Sequence, residues 1–298
     1  MKNSMPKGAH WRRFSEFIMP GSNRFFILDR VLKEARLSYS TLEIQGARHF
    51  VVTPSLPQEK EPKQAPPVIL TAHYDRYEGS PGANDNSAAV FLLIETALRL
   101  KKSGERNWRI IFTDKEELKP GESILDQGAY SLAQGLKKAN MRNARFFCFD
   151  VCGTGDTILI STTLDYLISR EGGGEKILAS IKKLRDMALN AAGRQGISRV
   201  YLVPAPFSDD AGFFQAGLAA QAITVLPYSE FDLLASELRK SSKFAELIIN
   251  RDKRKNRSIK AIPETWQILN SGSDNQSRLT PEHYHIITGF AEALCTQS

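Results

Sequence analysis

From residue 68 to residue 149 the chain alternates short, wholly apolar runs with segments of helical periodicity, and nothing else in the sequence restricts its folding as strongly. Residues 68–72, 108–113 and 144–149 are rich enough in β-branched and aromatic side chains to be strands buried on both faces. Between them, residues 86–101 put Val90, Leu93, Ile94, Ala97 and Leu98 on one side of a helix, and residues 129–139 read as a second helix. Strands joined by helices of this length run parallel, because the crossover must return over the sheet face, and its helices then cover that face. The pattern continues with strand-like runs at 157–161, 199–203 and 220–226 and helices at 175–192 and 282–294, the last opened by Thr280-Pro281. Upstream, Gly21-Ser22-Asn23 signals the start of a helix over 23–35, and residues 41–44 and 49–53 form a hairpin around Gln45-Gly46. The expectation is an α/β fold, a single domain over residues 1–298 with a central, mixed but mostly parallel sheet sandwiched by helices. Residues 55–67 are a loop rich in Pro, Lys and Glu, and 227–264 can form a flap over a site.

Composition excludes several alternatives. With 42% apolar and 24% charged residues in 298, the chain has the material for a sizeable core. Its net charge of +7 is concentrated in residues 251–260, which hold six basic residues and one acid; a run of that kind reads as a solvated loop, so neither nucleic acid nor an anionic membrane is an expected partner. The first 17 residues lack the apolar core of an export signal, and no stretch is long and apolar enough to span a bilayer, so a cytoplasmic location is expected. The three cysteines, Cys148, Cys152 and Cys295, are read as reduced, buried small hydrophobes; in a strand Cys148 and Cys152 would share a face with Asp150.

Open α/β sheets bind ligands at the carboxyl ends of their strands, and here those ends are acidic. Ala72-His73-Tyr74-Asp75 follows the first run, Pro81-Gly82-Ala83-Asn84-Asp85-Asn86 opens the helix after it, Glu116-Glu117 follows residues 108–113, and Asp150 follows 144–149. Carboxylates gathered at one edge repel one another and lose hydration, and a divalent cation resolves both costs. One imidazole among several carboxylates suits Zn, Mn or Co, singly or as a pair sharing a bridging carboxylate. The rival chemistries lack their motifs: Gly172-Gly173-Gly174-Glu175-Lys176 has neither phosphate-loop spacing nor a dinucleotide fingerprint, and no nucleophile elbow is present. His283 and His285 fall on the last helix and are read as surface residues.

Ala-His-x-Asp, Pro-Gly-Ala-Asn-Asp-Asn, Phe-Thr-Asp-x-Glu-Glu and Phe-Asp-x-x-Gly, in that order, resemble the motifs of the co-catalytic, bimetallic zinc aminopeptidases, with which glutaminyl cyclases share a fold of the phosphorylase/hydrolase-like kind. The resemblance implies that His73 and Asp150 ligate one metal, Glu117 ligates the other and Asp85 bridges them. It also implies that Glu116 is the general base and that Asp75 orients His73. The activity implied is removal of N-terminal residues from short peptides by a metal-activated water, with one or two Zn ions, or Mn, Co or Mg. Two positions depart from the family: Asn270 stands where a final ligating histidine is expected, which makes it a weak ligand that suits Mg or Mn better than Zn, and Asp210 stands where the family often carries a histidine. The departure at Asn270 leaves two readings, a working aminopeptidase and a catalytically impaired relative that binds a peptide, a metal or a partner, with glutaminyl cyclase activity less favoured.

Overall fold

The computed structural model describes residues 5–54, 65–171, 174–241, 243–249 and 262–296. Among the described residues, eight strands form one mixed sheet in the order β1-β2-β4-β3-β5-β8-β6-β7. They are β1 Ser38–Ile44, β2 Ala47–Thr53, β3 Val68–His73, β4 Trp108–Thr113, β5 Arg145–Phe149, β6 Thr157–Ser161, β7 Val200–Val203 and β8 Ala220–Leu226. The inner four, β4-β3-β5-β8, are parallel, so their carboxyl ends open on one edge. β1 and β2 form the expected hairpin, closed by Gln45 and Gly46 at φ 50° and 73°, the pair of positive angles that a two-residue hairpin turn requires.

Period-two alternation assigns the strand side chains to two cores. Val68, Leu70 and Ala72 face helices Ala88–Ser103, Glu175–Arg194 and Tyr284–Cys295, whereas Ile69 and Phe146 face helices Gly128–Lys138 and Asp209–Gln215. β6 runs antiparallel to β8, and the connection that admits it turns at Gly155, φ 109°, where an added Cβ would lie 2.0 Å from the Leu226 carbonyl carbon. A third core joins Leu159 and Val203 to Phe231, Leu234 and Ile248. The latter three come from helices Tyr228–Lys240 and Lys243–Ile249 of the 227–264 segment, whose basic run at 251–260 lies outside the described residues.

Three local expectations change. The regular helix after the Pro-Gly loop begins at Ala88, not residue 86, because Asp85 (φ −111°, ψ 88°) and Asn86 (φ −130°, ψ 29°) leave helical geometry, with a cis peptide between them. Cys148 and Cys152 do not share a sheet face: β5 ends at Phe149, the chain turns at Val151 (φ 53°), and the two thiols enter opposite cores. Helices Thr163–Glu171 and Asp209–Gln215 are additional, as are the short turns between Ala9 and Phe17; each is too brief for periodicity to reveal. As expected, all three cysteines are free and buried; His285 is exposed, while His283 is half-buried.

Candidate metal centre

His73 is the last residue of β3 and is fully buried. Its Nε2 lies 3.2 Å from Asp85 Oδ1, 3.4 Å from Asp150 Oδ1 and 4.0 Å from Glu116 Oε2, while Nδ1 lies 3.4 Å from Asp75 Oδ1. His73, Asp85 and Asp150 each offer a ligand atom, and these atoms all fall within 4.8 Å of one another. Both ring nitrogens and Asp150 Oδ1 are buried without a well-formed hydrogen bond. Buried polar atoms that converge without satisfying one another fit a cation better than they fit one another, and an imidazole with two carboxylates is a donor set for a divalent ion. The electrostatics agree. Burial alone would make His73 less basic, but Asp150, Asp75 and Asp85 overcome it and hold its pKa well above the usual value, so the cluster demands a positive charge where a metal would sit.

The Pro-Gly-Ala-Asn-Asp-Asn turn aims Asp85 and, through two carboxamides, Asp150. Gly82, at φ 57°, lets the chain fold back on itself; a Cβ there would meet Asp85 O at 2.6 Å. The amides of Asn84 and Asp85 both donate to the buried Asp274 carboxylate, at 2.8 and 3.0 Å. Burial, with Asp85 close by, pushes Asp274 up to about 6. Asn84 Oδ1 accepts from Gly153 N at 2.7 Å. Asn86 Nδ2 donates to Phe149 O at 2.8 Å and Asn86 Oδ1 accepts from Val151 N at 3.2 Å, so one carboxamide spans Asp150.

After β4 the chain turns at Lys115 (φ 58°), and the Asp75 carboxylate receives the amides of Glu116 and Glu117 at 3.2 and 3.0 Å. Burial opposes ionisation of Asp75, yet His73 and these two amides keep its pKa below the ordinary value. Asp75 therefore links the imidazole to the Glu-Glu turn. Gln127 Nε2 donates to Glu116 Oε1 at 3.2 Å, and burial drives the Glu116 pKa well upward, with Glu117, Asp150 and Asp85 adding to it against the pull of His73.

The structure thus brings His73, Asp75, Asp85, Glu116 and Asp150 together. Glu117 falls outside the group of three and lines a neighbouring pocket of about 310 Å³ with Arg76, Lys119 and others. Asn270 is half-buried at φ 59°, four residues before Asp274, in a loop tied to the Pro-Gly loop by Ser80 Oγ donating to Ser271 O at 3.1 Å. Asp209 and Asp210 are buried at the end of β4: Thr113 Oγ1 donates to Asp209 Oδ2 at 2.6 Å, Ser208 N donates to Asp210 Oδ1 at 3.0 Å, and burial raises the two carboxyls to about 6 and about 7. Sequence reasoning missed Asp274, Asn84, Asn86, Gln127 and Arg24 as parts of this site. Only Arg24 left a signal, a charge on the buried stripe it shares with Ile27, Leu28 and Val31.

Fold and site together have the layout of a metal-dependent hydrolase. The chain belongs to peptidase family M28, whose model matches residues 52–279. Among solved structures, a zinc aminopeptidase from Bacillus subtilis is 18% identical, with 83% of this chain and 49% of that chain covered at a TM-score of 0.54. An Acidobacteriales bacterium glutaminyl cyclase is 17% identical, covering 99% and 96% at 0.59. The Legionella pneumophila LapA aminopeptidase is 13% identical, covering 98% and 69% at 0.59. The chain spans about half the length of the Bacillus enzyme. Among curated protein sequences none matches it.

Proposed function

We propose that the chain is a metal-dependent aminopeptidase acting on short peptides. The observation that carries the reading is the convergence of His73 Nε2, Asp85 and Asp150 within ligand range of one another, with the Glu116 carboxylate 4.0 Å from the same nitrogen. His73, Asp85 and Asp150 would hold one Zn ion, or Mn, Co or Mg in its place; Glu117 and the amide oxygen of Asn270 are the remaining donors for a second, weaker site. When bound, the ion supplies Lewis acidity to a water and to the scissile carbonyl. Asp75, 3.4 Å from His73 Nδ1, would accept the Nδ1 proton in a hydrogen bond with the ion bound, fixing the tautomer and turning the Nε2 lone pair inward. Glu116, its Oε1 held by Gln127, takes the proton of the attacking water on Oε2 and returns it to the departing amine; its burial, which raises the pKa, favours holding that proton between the two transfers. Glu230 accepts from Thr265 N and Thr265 Oγ1 at 3.0 and 3.1 Å, which ties helix Tyr228–Lys240 to the chain just ahead of the Asn270 loop. We assign the protein to the cytoplasm, with no nucleic-acid partner.

One observation favours a second reading: the glutaminyl cyclase is matched over nearly the whole of both chains, the Bacillus aminopeptidase over half its length. A panel of short peptides, some beginning with glutamine, separates the readings when incubated with protein loaded with Zn, Mn or Co. Shortened peptides support the aminopeptidase; loss of ammonia without shortening supports cyclisation. If metal-replete protein does neither, the enzyme reading falls and a binding role for the same cleft takes its place. Glu116→Gln is expected to lower either activity by about 10²- to 10⁴-fold.

A further inference from the structure

Arg24 is 5% exposed, and its guanidinium makes six hydrogen bonds, five to backbone carbonyls and one to a hydroxyl. Nη1 donates to Tyr74 O at 3.1 Å and Asp75 O at 2.9 Å; Nη2 donates to Pro81 O at 2.7 Å, Gly82 O at 3.1 Å and Ser87 Oγ at 2.8 Å; Nε donates to Phe17 O at 3.3 Å. The Phe17 ring packs against the other side, its centroid 4.7 Å from Cζ. Removing a guanidinium from water is costly, and here the charge is spent on gathering carbonyls. Four of the five carbonyls flank the site: Tyr74 and Asp75 follow His73 directly, and Pro81 and Gly82 precede Asp85, with the Ser87 hydroxyl just beyond it.

We propose that Arg24 is a positioning residue for the metal centre, one planar group that pins both ends of the loop between His73 and Asp85 and so sets where the Asp75 and Asp85 carboxylates stand. This rests on reading His73, Asp85 and Asp150 as the metal site. Two features mark the role as more than packing. The fork reaches residues on both sides of the 75–81 loop at once, which a lysine ammonium with three donors on a single atom does not reproduce. From the opposite side, Asp274 holds the amides of Asn84 and Asp85, so the turn is gripped between a buried cation and a buried carboxylate brought from the two ends of the chain.

The test is a titration with cobalt chloride, followed by visible absorption, on wild type, Arg24→Lys, Arg24→Ala and Leu234→Ala; the last removes a fully buried side chain from the third core, which holds no residue of the loop between His73 and Ser87, and serves as a control for lost stability. Wild type takes up cobalt. Both Arg24 variants weaken uptake by about 10- to 100-fold and alter the spectrum, the cost usual for losing a group that orients metal ligands. Leu234→Ala lowers thermal stability yet keeps the wild-type midpoint and spectrum. Should Arg24→Ala fail to fold, Arg24→Lys and Ser87→Ala, which deletes one acceptor of the guanidinium, carry the test. Arg24 variants that match wild type in midpoint and spectrum, or a control that shifts as far as they do, overturn the proposal while leaving the metal site standing. Wild-type protein that binds no cobalt overturns the metal site and the proposal with it.

Discussion

Asn86→Ala is the most demanding test of how the centre is assembled, because Asn86 touches the site only through backbone. Its carboxamide makes two buried hydrogen bonds, donating to Phe149 O at 2.8 Å and accepting from Val151 N at 3.2 Å. Each is worth about 1 kcal/mol net, and each leaves behind a buried backbone group whose desolvation costs about 1–3 kcal/mol if nothing replaces the partner. The expected loss is therefore about 2–6 kcal/mol, read as a lower urea midpoint at unchanged slope. Because the two contacts straddle Asp150, metal affinity should fall as well, by about tenfold or more. Asn86→Asp sharpens the point: it keeps an acceptor for Val151 N but sets an oxygen against Phe149 O, so it should cost at least as much as alanine. A loss below about 0.5 kcal/mol in both variants, the range of an ordinary surface change, would refute the claim that this carboxamide holds the Asp150 turn.

Other outcomes follow from the same geometry. Glu116→Gln should retain bound metal while hydrolysis falls about 10²- to 10⁴-fold, checked by elemental analysis beside the peptide assay. Asp210, raised by burial to about 7, keeps a proton in the folded state that the unfolded chain releases above its ordinary value of 3.8. Its stabilising contribution is thus complete below 3.8 and lost as the pH climbs through about 7, so Asp210→Asn should be more stable than wild type at pH about 8 and gain nothing near pH about 4 in chemical denaturation. Cys148, Cys152 and Cys295 are buried, and burial raises all three thiols, so a thiol reagent should label none in native protein and all three after unfolding.

The sheet was legible because buried parallel strands are written as continuous apolar runs: β4, β6 and β8 have the bounds expected, and β3 and β5 shift by one residue at one end. His73, Asp85, Glu116 and Asp150 were legible because strand ends are where such a sheet presents chemistry. The residues that hold them were not, for a physical reason. Asn84 and Asn86 read as turn residues, and only through space do they become clamps on Gly153, Phe149 and Val151, more than sixty positions away. Asp274 and Arg24 lie at opposite ends of the chain and meet the same turn through hydrogen bonds that no local pattern encodes. The start of the helix was misplaced for a related reason: Asp85 and Asn86 spend their backbone and side chains on the site, which defers regular helix to Ala88.

The central claim is that a divalent ion binds where His73, Asp85 and Asp150 meet. Crystals of the protein grown with zinc and measured on either side of the zinc absorption edge test it directly. An anomalous peak is expected in ligand contact with His73 Nε2 and with carboxylate oxygens of Asp85 and Asp150. Density without such a peak, or a zinc ion held elsewhere while these three side chains stay bare, would contradict it.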